Sequence, residues 1–235
     1  MINAYTWPTP NGHKVHIMLY ECDLEHEIVP IDILNGDQFS PEFLSISPNN
    51  RIPAIVDSDG PDGKEISIFE TAAILCYLAN KSGKFLPNVS TEPVNHFRVM
   101  EWLMWQMGGI GPMMGQSNHF RRYAPETIPY AIDRYFKEVK RLFGVADKRL
   151  SDNRFLAGDE YSIADIACFP WMRGYKRHEV PISDFPNIER WFDEIGSRPA
   201  VQKGLDVLND KRRTEAPKGK EWEIMFGKDQ FKRRG

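Results

Sequence analysis

Three short segments in the first third of the chain carry groups that could hold a small peptide. They are Thr9-Pro10-Asn11-Gly12, Arg51-Ile52-Pro53-Ala54-Ile55-Val56 and Phe69-Glu70-Thr71. Each places polar side chains or main-chain groups at the end of a regular element. Proline cannot donate to a ladder, so Ile52-Pro53 belongs at a strand beginning or an edge. It is a place for a cis bond, with Ile52 main-chain groups left to a ligand. Thr71 falls where a strand with Ile66 and Ile68 meets a helix with Ile74, Leu75 and Leu78. Helix N-termini attract carboxylates, and the competing role for Thr71 is a simple cap.

The elements that must position these residues alternate over residues 1–87. Ile2 to Trp7 reads as a strand, and Val15, Met18, Leu19 and Cys22 stripe a helix. Val29, Ile31 and Ile33 alternate as a second strand, Ile52 to Val56 form a third and Glu65 to Phe69 a fourth. A helix ending near Gly83 completes a βαβ-then-ββα order, which fits a small thioredoxin-like α/β domain. Residues 88–92 read as a linker. Residues 93–210 carry helical periodicity throughout and predict an all-α domain. Gly108-Gly109…Gly111-Pro112 should bend or break its first helix, and Ser162-Ile163-Ala164-Asp165 reads as a capping-box variant. In the tail, residues 211–235, nine basic residues stand against four acidic ones. A solvated or partner-docked tail is expected, with an anion contact as the alternative.

With 235 residues, 41% hydrophobic and 27% charged, the chain can bury a sizeable core. A net charge of −3 offers no broad basic field to nucleic acid. No apolar run is long enough for a membrane span, and the first residues lack a signal-peptide pattern. Cys22, Cys76 and Cys168 lie far apart in apolar helical patterns. They form neither a dithiol motif nor a zinc set, so no metal is expected and the cytoplasm is the default location. His13 and His16 lack an acidic or cysteine partner for a metal.

The three opening segments resemble the cytosolic glutathione transferases, nearest to the nu class and to fungal nitrogen-regulator-like members. So do Ser47-Pro48-Asn49-Asn50-Arg51-Ile52-Pro53, Gly109–Gln116, Thr127–Tyr135 and Tyr161–Ala167. The resemblance runs from residue 2 to about residue 210. It implies glutathione, reduced or as its disulfide, as cosubstrate, and a homodimer. It places Thr9 and Asn11 where the family keeps its sulfur-activating residue. Here that position holds neither tyrosine nor cysteine. Thr71 and Glu70 would meet the γ-glutamyl carboxylate and ammonium, and Ile52, before Pro53, would pair with the cysteinyl unit. Gln38 would contact the glycyl carboxylate. Arg134 would face the ligand cleft, unless it serves a structural salt bridge.

The expected activity is reduction of a small disulfide by two glutathiones, or its reverse, without a protein thiol. The rivals are conjugation of glutathione to an electrophile, removal of glutathione from a thioether, and a non-enzymatic regulator. A long Asn/Gln-rich extension would favour the regulator, and the sequence has none.

Overall fold

Alternation in the first strand sets the sheet. In β1 (Ile2–Thr6), residues Ile2, Ala4 and Thr6 are buried while Asn3 and Tyr5 are half-buried, the period expected of a covered strand. The computed structural model describes residues 1–232. Its sheet has the order β2-β1-β3-β4. β2 (His26–Pro30) runs parallel to β1, while β3 (Ala54–Asp57) is antiparallel to β1 and to β4 (Ile66–Phe69). The connection between the two parallel strands is α1 (Pro10–Glu21), as a βα crossover requires.

Two strands differ from the sequence expectation. The second ends at Pro30, so of its three predicted residues Val29 lies within the strand, Ile31 keeps one bond to β1 through its N–H to the Thr6 carbonyl at 2.9 Å, and Ile33 lies outside. Asp32 then turns the chain: its Oδ1 accepts from Leu34 N–H at 2.9 Å and its carbonyl from Asn35 N–H at 3.1 Å, the behaviour that makes aspartate a turn residue. The third strand starts at Ala54 rather than Ile52, because Pro53 has no N–H to give. Between them lies a short helix that the apolar pattern did not mark, α2 (Pro41–Ile46), capped by Ser40, whose Oγ accepts from Phe43 N–H at 3.2 Å.

The α/β part ends with α3 (Thr71–Ser82), and the remainder is helical. The glycine cluster neither breaks nor sharply ends its helix. α4 (Pro93–Trp105) passes through a π-helical turn, Gln106–Ile110, into α5 (Gly111–Asn118), and a second such turn spans His119–Tyr123. An inserted π turn re-aims side chains without stopping the helix, and here Gln106 is fully buried. α6 (Pro129–Asp152), α7 (Ile163–Met172), α8 (Pro186–Gly196) and α9 (Pro199–Asp206) complete the bundle. A last short helix, α10 (Lys220–Met225), lies in the tail.

The centre of the molecule is α1, buried continuously from Gly12 to Leu19. It packs against α3 on one side and α7 and α9 on the other. A methyl group on Gly204 of α9 would come within 2.7 Å of the Ile17 main chain, so only glycine allows this approach.

The capping box at α7 has the expected form. Asp165 Oδ2 accepts from the main-chain N–H and hydroxyl of Ser162 at 3.1 and 3.0 Å, while Ser162 Oγ accepts from Ala164 N–H at 3.3 Å. Its other oxygen accepts from Leu156 N–H and Trp191 Nε1, each at 3.0 Å. Burial raises the Asp165 pKa to about 6, while these four donors, by favouring the carboxylate, hold it down. Removing it strands buried N–H groups from three segments. Asp165→Ala should therefore cost about 3 kcal/mol or more in stability. A denaturant midpoint corresponding to a loss below about 1 kcal/mol would show that the carboxylate is not the hub of these bonds.

Candidate functional site

Thr9 begins the site because it caps α1. Its Oγ1 accepts from Gly12 N–H at 3.1 Å, which leaves the hydroxyl proton to be given elsewhere. Gly12 itself is required, since a Cβ there would sit 2.1 Å from the Trp7 carbonyl oxygen. Two residues on, within the first turn, Asn11 Oδ1 accepts from Trp171 Nε1 of α7 at 2.8 Å. That bond fixes the amide so that its Nδ2–H₂ has no protein partner among the described residues. Two residues with donor capacity thus stand at the N-terminus of α1 and line one cavity, a setting suited to an anion.

They open into a cavity of about 550 Å³ between the sheet and the helical bundle, within the size range of small-molecule sites. Ile52 lines it on the sheet side. The Ile52-Pro53 bond is cis, and the Ile52 main-chain N–H and C=O have no partner among the described residues. Gln38 also lines the cavity, buried to 4% exposure. Its Nε2 donates to the Ile33 carbonyl at 3.3 Å and its Oε1 is unsatisfied.

Other predicted residues lie differently. Pro53 is buried outside the lining. Glu70 and Thr71, at the start of α3, also stand outside it. Glu70 holds a φ of 69° and its Oε1 accepts from Asn49 Nδ2 at 3.3 Å, a left-handed conformation that costs energy for a residue with a side chain. The Thr71 hydroxyl is engaged inward: it accepts from Lys14 Nζ at 3.1 Å and donates to Met107 Sδ at 3.3 Å. That leaves its main-chain N–H, not the hydroxyl, for a ligand. Arg134 is on the exposed side of α6, with Nη1 3.8 Å from Glu138, and lines no part of this cavity in its own subunit.

Lys14 is the site residue that sequence reasoning passed over. Its ammonium lies at the cavity wall with 1% exposure and donates to Gln106 Oε1 at 2.6 Å and to Thr71. Burial lowers its pKa to about 7, opposed weakly by Cys168 and Glu70. The available signal was a lone cation inside a helix whose neighbours are all core. The tail, expected to be solvated or docked on a partner, instead reaches the cavity of its own chain. Met225, Phe226 and Gln230 line the cavity. Trp222 Nε1 donates to the Tyr123 carbonyl at 2.7 Å, and Phe226 stacks on Tyr123 with ring centres 5.1 Å apart. With its amide oriented to match, Gln230 accepts from both Arg51 Nη atoms at 3.0 and 2.8 Å. The tail therefore docks on its own chain, and the apolar cluster Trp222, Ile224, Met225 and Phe226 was the sign of it.

No cysteine lines this cavity. Cys22 and Cys168 are buried and Cys76 is half-buried, and burial raises the pKa of all three thiols. His13 and His16 are buried as well. His16 Nε2 bonds Thr6 Oγ1 at 2.9 Å and His13 Nδ1 the Gly204 carbonyl at 3.3 Å.

The Lys14 shift has a sign that can be measured. A lysine titrating near 7 when folded and near 10.4 when unfolded binds fewer protons in the folded state across that interval. Its charging opposes folding below pH 7, and this penalty disappears as pH rises towards about 10. Relative to Lys14→Met, the wild-type protein should gain on the order of a few kcal/mol of stability between pH 7 and pH 10. Urea denaturation at several pH values measures the difference. A constant difference would mean that Lys14 keeps an ordinary pKa.

Comparison with known proteins bears on this site. A glutathione S-transferase N-terminal domain model matches residues 9–81 and a glutathione S-transferase C-terminal domain model matches residues 113–199. The chain is 48% identical over 215 residues to the disulfide-bond oxidoreductase YfcG of Escherichia coli, covering 90% of this chain and 99% of that protein. A glutathione transferase from Burkholderia graminis, solved with two glutathione molecules per subunit, superposes with a TM-score of 0.84 at 46% identity, over 88% of each chain. One from Pseudomonas putida, solved with one glutathione disulfide per subunit, gives 0.83 at 44% identity, over 88% of this chain and 91% of that one. The chain belongs to the glutathione transferase superfamily, with nu-class and Ure2-like proteins among its relatives.

Proposed function

We propose that the protein is a glutathione-dependent disulfide-bond oxidoreductase in which bound glutathione supplies every reacting sulfur on the enzyme's side. The observation that carries this reading is the pairing at α1. Thr9 and Asn11 each spend an acceptor on the protein and retain a donor facing a cavity that no protein thiol lines. Lowering a thiol pKa from about 8.5 to about 6.5 requires roughly 2.7 kcal/mol of preferential thiolate stabilisation. A hydrogen bond to a charge contributes about 1.5–3 kcal/mol and a helix N-terminus about 0.3–1 kcal/mol. Two donors and the dipole suffice.

In the forward direction, the thiolate of one glutathione attacks a sulfur of the substrate disulfide. A mixed disulfide forms, the substrate S–S bond breaks, and the leaving thiolate takes up a proton. A second glutathione thiolate then attacks the glutathione sulfur of that mixed disulfide. This releases the second substrate thiol, and glutathione disulfide is the oxidised product. The enzyme aligns the sulfurs and holds the anion, and the exchange needs no metal. Relatives solved with two glutathiones or with the disulfide support this reading.

In this scheme Ile52 pairs with the cysteinyl unit as an added strand would, Gln38 meets the glycyl end, and the Thr71 N–H and Glu70 receive the γ-glutamyl end. Arg134 reaches a ligand only from a neighbouring subunit. A homodimer would also cover the α4 face that exposes Val94, Phe97 and Met104, an apolar stripe of the kind that marks an interface. A cytoplasmic location fits the free thiols and the need for reduced glutathione.

The apolar side of the cavity, with Trp171, Met225 and Phe226, supports conjugation of an electrophile as the second reading. One preparation distinguishes them: glutathione-driven reduction of a hydroxyalkyl disulfide against conjugation of an aryl halide. Reduction should exceed conjugation about a hundredfold in kcat/KM, or about 2.7 kcal/mol. Asn11→Ala and Thr9→Ala should each lower it about tenfold or more, while replacing all three cysteines by serine should leave it within about threefold. Conjugation at or above reduction would make the protein a transferase. A folded but inactive cysteine-free variant would end the thiol-free mechanism.

A further inference from the structure

Beyond the cavity, on the outer side of Pro8 and Pro10, lies a basin of about 240 Å³ with an unusual wall. Arg173 closes α7, Lys176 and Arg177 follow it, and Arg212 and Arg213 approach from the tail. No acidic residue lines it. Arg213 is paired with Glu221. Among the described residues, the guanidinium groups of Arg173, Arg177 and Arg212 have neither an ion pair nor a hydrogen bond, and Lys176 has only the face of Tyr175.

The neighbouring charges do not resolve this arrangement. Glu179 is held by Arg121 at 2.7 Å, and Arg122 donates to the Thr214 carbonyl at 2.6 Å, adding a further cation. Glu215 and Glu221 line the adjoining basin, which Arg177, Arg212 and Arg213 also line, but Arg177 and Arg212 form no ion pair with them. Burial lowers the Arg173 pKa, and the charges of Arg212 and Arg177 lower it further. His13, at the same wall, is neutral at pH 7, its pKa reduced to about 4 by burial. The C-terminal dipole of α7 favours nearby cations, but it amounts to only about half a charge. Lys176, Arg177 and Arg212 are exposed, where water screens them, so the half-buried Arg173 is the cation that most lacks compensation.

We propose that this basin is a binding site for a phosphate-type oxyanion, held between the end of α7 and the tail. A carboxylate would neutralise one of the four cations. A phosphate carries about −1.5 to −2 charge and three strong acceptor oxygens, and arginine forks match such groups with paired hydrogen bonds. The volume admits orthophosphate, pyrophosphate or the head of a phosphate ester. Occupancy would tie Arg212 to α7 and so fix the start of the segment that carries Met225 and Phe226 to the cavity. None of its cations lines the 550 Å³ cavity, although Pro10 lines both, and Arg177 and Arg212 also line the adjoining basin with Thr9, Trp171, Met225 and Phe226.

The test is thermal unfolding of the full chain at fixed ionic strength, with orthophosphate, pyrophosphate, a nucleoside monophosphate and chloride as probes. At about ten times its dissociation constant, a phosphate probe should raise the midpoint by roughly 3 °C, saturably, while chloride does not. Arg173→Gln and Arg212→Gln should each abolish the rise, and without anion both should unfold no lower than wild type, because repulsion is relieved. A tighter response to the nucleoside monophosphate than to orthophosphate assigns the site to an ester, and an equal one to the free anion. A rise matched by chloride, or retained in both variants, would overturn the proposal. So would variants that lose stability without anion, since the guanidinium groups would then have partners in the protein itself.

Discussion

Burial of α1 between the sheet and the helical bundle is the constraint on which the molecule depends. Most helices offer one apolar stripe to a core. This one is covered from Gly12 to Leu19, so residues around its circumference must fit a neighbour. Gly204 admits α9 to the main chain of Ile17. Trp171 reaches from α7 to Asn11, and Gln106 reaches from the π turn to Lys14. The two folding patterns thereby share one axis, and the N-terminus of that axis is the point where ligand chemistry is proposed.

The chemistry of that point follows from hydrogen-bond accounting. A threonine hydroxyl and an asparagine amide each carry donors and acceptors, and a thiolate can use only donors. The Gly12 N–H takes one lone pair of Thr9 Oγ1, and the Trp171 indole takes one of Asn11 Oδ1. The hydroxyl hydrogen and the Nδ2–H₂ group remain as donors for an anion. An indole has no acceptor and cannot reverse its role, so the Asn11 amide is held in one orientation. A phenylalanine at 171 would keep most of the packing and lose that orientation.

Much of the fold was legible because its signals are local. Helix stripes, the proline at the third strand and the Ser162–Asp165 box each act over a few residues. Errors arose where a tertiary partner decides. The second strand is the exception, a local one: Ile31 keeps one bond to Thr6, and the Asp32 turn takes Ile33 away from the sheet. The glycine cluster looks like a break until Gln106 is seen turning inward to Lys14. Of the site, the α1 motif could be read because it lies within four residues. Trp171 is 160 positions from its partner and Gln230 is remote from Arg51, and no spacing rule connects such pairs.

Lys14 shows how the site and its stability oppose each other. A buried ammonium beside neutral partners is costly, and no carboxylate forms an ion pair with it among the described residues. With a pKa near 7, it is poised between its two forms. Thr71 and Gln106 can accept from either form, so losing the proton does not dismantle the bonds that join α1 to α3 and to the π turn. A nearby anion would favour the charged form and retain the proton. A buried lysine can shed its proton when nothing compensates its charge, while a permanently charged arginine there would have to bear the full desolvation cost.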